Sequence, residues 1–276
     1  MRNYHNKTDK ITAAVLLAAG TGSRLQPLTN HAPKCLAEVN GVSMLERLTL
    51  CLRDNGFNRL IIVVGHMDYC IREFLGSSMN GLRIDYIVNP QFSTTNNIYS
   101  LWLARDVIQE AFLLVESDIV FDASLLSDMT SPDRIAVSRM LPWMNGSTVT
   151  INRAKHIVSL NTGGLPVTKM TNYKTVNIYS FSLRSWRLIE DRLERYISAG
   201  RVNDYYEAIF TEMIAEDILS FEPVFFDEKR WYEIDTLIDL QAAEQIFPKA
   251  FELPSQIAIS PEPTNLTPLS NIENLY

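Results

Sequence analysis

Cysteines are scarce in this chain, and those present are not paired. Cys35, Cys51 and Cys70 are the three cysteines among 276 residues, and no two of them form a Cys-x-x-Cys pair. An odd number of cysteines without paired spacing argues against a disulfide framework and against a zinc site. We therefore expect reduced, buried thiols in a cytoplasmic protein.

Excess basic charge and long apolar runs are also missing. The chain has 25 Lys and Arg against 32 Asp and Glu, for a formal net charge of -7. A general nucleic-acid-binding protein needs a basic face for the phosphate backbone, so no nucleic-acid partner is expected. No apolar run approaches the roughly 20 residues of a membrane-spanning helix, and residues 1–10 lack the apolar core of a secretory signal. We expect a soluble protein with no membrane partner.

The composition that is present fits one enzyme-sized domain. Hydrophobic residues make up 46% of the chain, enough for a single large core. We assign residues 11–248 to this single domain, with a first half at about 11–120 and a second half at about 121–248. Residues 249–276 are rich in Pro, Ser, Asn and Thr and are expected to form a flexible tail, whose last four residues resemble the start of a protease-cleavage tag. The sequence does not predict an oligomeric state.

Strand-like and helical patterns alternate along the first half. Apolar runs at 13–19, 60–64, 82–88 and 112–117 are separated by helical patterns at 44–54 and 97–108. This order predicts an α/β fold with a Rossmann-like, mixed and mainly parallel central sheet, helices on both faces and ligands at the carboxyl edge of the strands. The second half is less regular, with short strands predicted at 135–138, 148–151, 157–160, 176–181, 219–226 and 230–234, and helices at 182–199 and 202–215.

A glycine-rich loop follows the first predicted strand. The run is Leu17-Ala18-Ala19-Gly20-Thr21-Gly22-Ser23-Arg24, and Pro33-Lys34 comes nine residues after the arginine. Gly20 and Gly22 allow positive φ and close approach of a ligand, while Arg24 and Lys34 supply positive charge. The loop lacks the Gly-Lys-Ser/Thr of a P-loop and the third glycine of a dinucleotide site. Two glycines alone fit an ordinary turn, but the ordered pattern with both cations predicts a triphosphate site.

Two aspartates follow predicted strands and could serve a divalent cation. Asp118 comes directly after the apolar run at 112–117, and Asp235 follows Trp231-Tyr232-Glu233-Ile234. Strand alternation places Glu233 and Asp235 on one face, and carboxylates suit Mg²⁺ bound to a triphosphate. Alternatively, Asp118 caps a turn and Asp235 caps a helix that begins at Leu237.

The glycine loop, Arg24 and Pro33-Lys34 resemble the signature of the nucleotidyltransferase superfamily, which includes the sugar-phosphate nucleotidyltransferases. The runs Thr95-Asn96-Asn97-Ile98-Tyr99-Ser100-Leu101, Glu116-Ser117-Asp118 and Tyr232-Glu233-Ile234-Asp235 resemble stretches of the bacterial phosphocholine cytidylyltransferases, in the same order. The resemblance covers about residues 12–247, and it implies a nucleotide-binding half at about 11–120 and an acceptor-binding half at about 121–248.

This resemblance implies a role for each matched residue. Arg24, Lys34, Asp118 and Asp235 would be catalytic, with Asp118 and Asp235 as the ligands of Mg²⁺. The triphosphate and base of CTP would contact Leu17, Ala18, Ala19, Gly20, Thr21, Gly22, Ser23, Arg24, Asn96, Asn97 and Ser100. One of the two asparagines could instead cap its helix.

The acceptor region departs from the phosphocholine pattern. Residues 145–149 and 173–179 resemble the cytidylyltransferases of phosphonate pathways, and Trp143 stands a few residues before the expected aromatic position. The acceptor would contact Lys34, Trp143, Lys174, Tyr206 and Glu233. We rank 2-aminoethylphosphonate or a related phosphonate first and phosphocholine next.

The resemblance predicts in-line attack of the acceptor's oxygen on the α-phosphorus of CTP, with pyrophosphate leaving. Two other hypotheses remain. A sugar-1-phosphate nucleotidyltransferase using UTP, dTTP or GTP shares the glycine loop, and a non-catalytic nucleotide-binding module would keep the loop without turnover.

Overall fold

The computed structural model describes residues 10–141, 144–163, 172–227 and 229–247. The predicted tail at 249–276 and the acceptor candidate Trp143 lie outside the described residues. The strands are β1 Ala13–Ala18, β2 Glu38–Val39, β3 Val42–Ser43, β4 Arg59–Val64, β5 Ser78–Met79, β6 Leu82–Val88, β7 Phe112–Glu116, β8 Ile119–Phe121, β9 Arg134–Arg139, β10 Thr148–Ile151, β11 Ile157–Asn161, β12 Asn172–Phe181, β13 Glu222–Phe225 and β14 Trp231–Glu233. The α-helices are α1 Met44–Asp54, α2 Asp68–Leu75, α3 Asn97–Leu103, α4 Leu183–Ser198, α5 Tyr206–Ala215 and α6 Leu237–Ile246.

A large mixed sheet forms the centre of the molecule. Its strands run in the order β11-β10-β12-β7-β1-β4-β6-β5, and β9 joins β12 to β13. Strand β1 pairs in parallel with β4 and β7, and β4 pairs in parallel with β6. Strand β12 runs antiparallel to β7. The predicted α/β fold is confirmed, with parallel strands at the centre of the mixed sheet.

The central strand is buried on both faces, which explains its continuous apolar sequence. Every residue of β1 is buried. Leu17 packs in a core with Ile98 of α3 and Ile209 of α5, whereas Ala18 packs in a second core with Leu48 of α1. Helices therefore cover both faces of the sheet.

The helix boundaries follow the capping signals in the sequence. Helix α1 spans the predicted residues 44–54, and the Ser43 hydroxyl accepts from the Glu46 N–H at its start. Helix α3 is shorter than predicted, because the chain continues after Leu103 as a 3₁₀ turn. Helix α5 begins at Tyr206, later than the predicted residue 202.

A short antiparallel ribbon brings the end of the chain back to the carboxyl edge of the sheet. Strands β8 and β14 form it, with Glu233 opposite Ile119. The Ile234 N–H donates to the carbonyl oxygen of Asp118 over 2.8 Å. This ribbon places Asp235 beside Asp118, although Asp235 comes 117 positions later in the sequence.

Candidate active site

A cleft of about 530 Å³ lies where the glycine loop leaves β1. All residues of the predicted nucleotide set except Ala18 line it. Ala18 faces the other side of the sheet and belongs to the core that contains α1. The carboxyl edge of the parallel strands therefore carries the cleft, as expected for an α/β sheet.

Gly22 is the glycine on which the loop conformation depends. Its φ is 61°, and a Cβ atom there would lie 2.8 Å from the Cβ of Lys34. Gly20 does not have positive φ and has open space around it, so the expectation of a left-handed backbone there is wrong. Because Gly22 has no side chain, the turn that carries Lys34 can pack directly against the loop.

Lys34 stands between the two predicted catalytic aspartates. Its Nζ lies 3.0 Å from Asp118 Oδ2 and 2.7 Å from Asp235 Oδ1. Arg24 Nη2 lies 2.8 Å from the same oxygen of Asp235. Burial alone would lower the pKa of Lys34, but Asp118 and Asp235 outweigh it and raise the pKa above its ordinary value. The structure thus brings all four predicted catalytic residues together.

The two aspartates have donor atoms suited to a hard divalent cation. Asp118 Oδ1 is buried and has no hydrogen-bond partner among the described residues. Asp235 is not the cap of α6, because the Thr236 hydroxyl accepts from the Asp239 N–H in a capping box. Unpartnered carboxylate oxygen at this position fits Mg²⁺, which prefers carboxylates and phosphate oxygens.

Lys174 and Glu233 form a second ion pair in the wall of the cleft. Lys174 Nζ lies 3.1 Å from Glu233 Oε2 and donates to the Thr175 carbonyl over 2.9 Å. The Lys174 side chain is 2% exposed, so it is not a solvated surface lysine. Gly146 makes room for it, because a Cβ there would lie 3.1 Å from Nζ.

The structure does not bring Tyr206 to the cleft. Its side chain is fully buried and its ring packs against those of Tyr179 and Phe210. The neighbouring Tyr205 lines the cleft and is 58% exposed. Tyr206 therefore contributes to the core, and its predicted contact with the acceptor is not supported.

The two asparagines have different structural roles. The Asn96 side chain accepts from the Asn97 N–H at the start of α3 and serves as its N-cap. Asn97 Nδ2 donates to Glu116 Oε1 over 3.2 Å, and its Oδ1 accepts from the Tyr206 N–H over 3.0 Å. Asn97 thereby connects β7 to the first turn of α5 across the cleft.

Sequence reasoning missed two carboxylates of the cleft, Glu116 and Glu207. Burial, with Asp118 and Glu207 nearby, raises the pKa of Glu116 well above its ordinary value. Burial also raises the pKa of Glu207 to about 7. The position of Glu116 at the end of an apolar strand, two residues before Asp118, was a usable signal. Glu207 lies in an ordinary helical pattern that gives no such signal.

A cleft of this kind, with cations and carboxylates at the carboxyl edge of a parallel sheet, is suited to an α/β enzyme that acts on a nucleotide. Residues 14–247 match the model of the MobA-like NTP transferase domain, and the chain belongs to this family.

Three of the curated relatives are named for a phosphonate or for choline phosphate. CMP-5'-(3-aminopropyl)phosphonate synthase of Streptomyces rubellomurinus is 29% identical over 84% of this chain, but the match spans only 38% of that protein. The 2-aminoethylphosphonate cytidylyltransferase of Lancefieldella rimae is 27% identical over 84% of this chain and 91% of that protein. Choline-phosphate cytidylyltransferase of Streptococcus pneumoniae is 30% identical over 46% of this chain and 53% of that protein.

Solved structures show the same fold. The CTP:phosphocholine cytidylyltransferase from Streptococcus pneumoniae has a TM-score of 0.69 at 22% identity, covering 86% of this chain and 99% of that one. The inositol-1-phosphate CTP transferase from T. maritima has a TM-score of 0.67 at 22% identity, covering 87% and 96%. Within the described ranges, no helix combines the length and apolar character needed to cross a membrane.

Proposed function

We propose that the protein transfers CMP from CTP to a small phosphonate or phosphorylated amino alcohol and releases pyrophosphate. An aminoalkylphosphonate such as 2-aminoethylphosphonate is the favoured acceptor, and phosphocholine is the next. The observation that carries this proposal is the buried Lys174–Glu233 ion pair in the cleft wall. A zwitterionic acceptor has an anionic phosphonate, which suits Lys174, and a cationic amine, which suits the carboxylates that line the same wall.

The reaction needs positioning more than acid–base chemistry. A phosphonate oxygen of the acceptor attacks the α-phosphorus of CTP, and the bond from the α-phosphorus to the β-phosphate bridging oxygen breaks. Because the acceptor is already an anion at neutral pH, no strong general base is required. Fixed cations and backbone N–H groups supply the electrostatic stabilisation.

Arg24 and Lys34 would serve different phosphates. Arg24 is the more accessible cation, with a side chain that is 69% exposed, and suits the outer β- and γ-phosphates. Lys34 is 12% exposed at the base of the cleft and suits the α-phosphate and the acceptor oxygen. Asp118 and Asp235 would hold Mg²⁺, which would neutralise negative charge on the phosphates.

The test is pyrophosphate release with Mg²⁺ and CTP against 2-aminoethylphosphonate, 2-hydroxyethylphosphonate, phosphocholine, phosphoethanolamine and glucose 1-phosphate. The same panel is repeated with UTP. Turnover with CTP and a phosphonate or phosphorylated amino alcohol is expected. Turnover only with glucose 1-phosphate and UTP would show a sugar-phosphate enzyme instead, and no pyrophosphate with any pair would favour a non-catalytic module.

A further inference from the structure

One carboxylate of the cleft is buried without a partner for one of its oxygens. Glu207 is the second residue of α5, lines the cleft and is 6% exposed. Its Oε2 has no hydrogen-bond partner within the part of the chain that the structure describes. Leaving a buried carboxylate oxygen unpaired is costly, so this atom is a candidate for contact with a ligand donor.

The charges around Glu207 are mostly negative. Burial raises the pKa of Glu207, and the nearby Glu233 raises it further. The backbone N–H of Glu207, the Asn97 amide and Lys174 lower it. Glu116 is also close enough to interact with it. Lys174, the cation among these groups, is already bound to Glu233 and to the Thr175 carbonyl. This part of the cleft has three carboxyl groups beside one ammonium, and a second cation would favour their ionised forms.

We propose that Glu207 binds the primary ammonium group of the acceptor and thereby selects an ω-aminoalkylphosphonate. The inference rests on the proposed function and names the substrate class more narrowly. A primary ammonium has three N–H donors, one of which would satisfy the free oxygen of Glu207. A quaternary ammonium has no donor and would leave that oxygen unpaired.

The aromatic side chains of the cleft agree with this selection. A quaternary ammonium is usually held by several aromatic faces. Among the described residues, Phe92 and Tyr205 are the aromatic side chains that line the cleft. Tyr179 and Tyr206 turn their rings into the core. We therefore expect the ammonium group beside Glu207 to be bound by charge and hydrogen bonding rather than by an aromatic cage.

The experiment compares wild type, Glu207→Gln and Glu73→Gln, a control that removes an exposed carboxylate on α2. Initial rates give kcat/KM for 2-aminoethylphosphonate and phosphocholine, and the KM for CTP. The inhibition constant of n-propylphosphonate, which replaces the ammonium by a methyl group, is measured against 2-aminoethylphosphonate. Urea unfolding confirms that each variant is folded.

We expect Glu207→Gln to lower kcat/KM for 2-aminoethylphosphonate by roughly 10- to 100-fold. The KM for CTP and the inhibition constant of n-propylphosphonate should stay within about twofold of their wild-type values. The reason is that we expect Glu207 to contact neither the phosphonate nor the nucleotide. Three results in Glu207→Gln would overturn the role of Glu207. They are weaker inhibition by n-propylphosphonate, a raised KM for CTP, and an unchanged kcat/KM for 2-aminoethylphosphonate. If the wild-type protein prefers phosphocholine, the selection of a primary amine is wrong but the proposed function stands. If no acceptor gives CTP-dependent turnover, the proposed function itself is wrong.

Discussion

The ammonium of Lys34 lies 2.7 Å from a carboxylate oxygen of Asp235, a residue 201 positions further along the chain. The same ammonium contacts Asp118 at the end of the central sheet. One lysine thus joins the loop after β1, the turn after β7 and the ribbon strand β14. It neutralises two carboxylates that would otherwise repel each other in the free protein.

Replacing Lys34 tests its role at the α-phosphate. In Lys34→Ala, kcat should fall by roughly 10²–10³, the scale for loss of one donor that stabilises a transition state. Stopped-time assays of pyrophosphate release at saturating CTP measure this. Arg184→Ala, which removes an exposed cation from α4, is the control and should keep wild-type turnover. A folded Lys34→Ala protein with normal kcat would exclude the assignment.

Divalent cations should compete with Lys34 for the two aspartates. Without nucleotide, Lys34→Gln should bind Mn²⁺ several-fold more tightly than wild type, because the ammonium no longer contacts Asp118 and Asp235. Paramagnetic resonance of free Mn²⁺ measures this without turnover. Adding Asp118→Asn to Lys34→Gln should abolish the gain. Equal affinity in wild type and Lys34→Gln would mean that the cation binds elsewhere.

Gly146 should be required for the position of Lys174. In Gly146→Ala the new methyl group would meet Nζ at 3.1 Å, and the backbone φ of 93° disfavours alanine. We expect unfolding free energy to fall by about 1–2 kcal/mol and KM for the acceptor to rise. Gly163→Ala is the matched control, because among the described residues beyond its chain neighbours no atom lies within 4 Å of its new Cβ. Equal urea midpoints for the two variants would contradict the close contact.

Glu207 should make the stability of the free protein depend on pH. Its pKa rises to about 7 in the folded state, so between its ordinary value and about 7 the folded protein binds more protons than the unfolded chain. Stability therefore falls as pH rises through this window. Glu116, Glu233 and Lys174 surround the group and are unchanged in Glu207→Gln.

Glu207→Gln removes this titration. At pH 8 the variant should be more stable than wild type by about 1–3 kcal/mol, and the difference should shrink toward pH 5. Urea unfolding at both pH values measures the effect. A difference that is independent of pH would show that Glu207 does not titrate in this window.

Local signals predicted much of the fold. The helical apolar spacing at 44–54 predicted both ends of α1 correctly. Helix α2 was missed, because it is short and is preceded by Met67, whose φ is 49° and whose side chain makes no capping bond. Strand β8 was missed because it pairs with β14, a partner that no local pattern reveals.

The residues of the site could be predicted where they form a sequence motif. They could not be predicted where their role depends on which side chains are buried. The loop glycines, Arg24 and Lys34 stand in a recognisable order, and the structure brings them together. Tyr206 and Glu207 are adjacent in the sequence, yet one faces the core and the other faces the cleft. Which of two neighbouring helical residues faces a ligand is set by how α5 packs on the sheet, which the sequence alone does not give.

The β8–β14 ribbon has a consequence for how the site is inherited. The glycine loop and Asp118 come from the first half of the chain, but Asp235 follows the last strand of the ribbon. A gene rearrangement that carried over only the front half would transmit the phosphate loop with one of the two aspartates. Recombination therefore preserves the whole site only when both ends of this domain are inherited together.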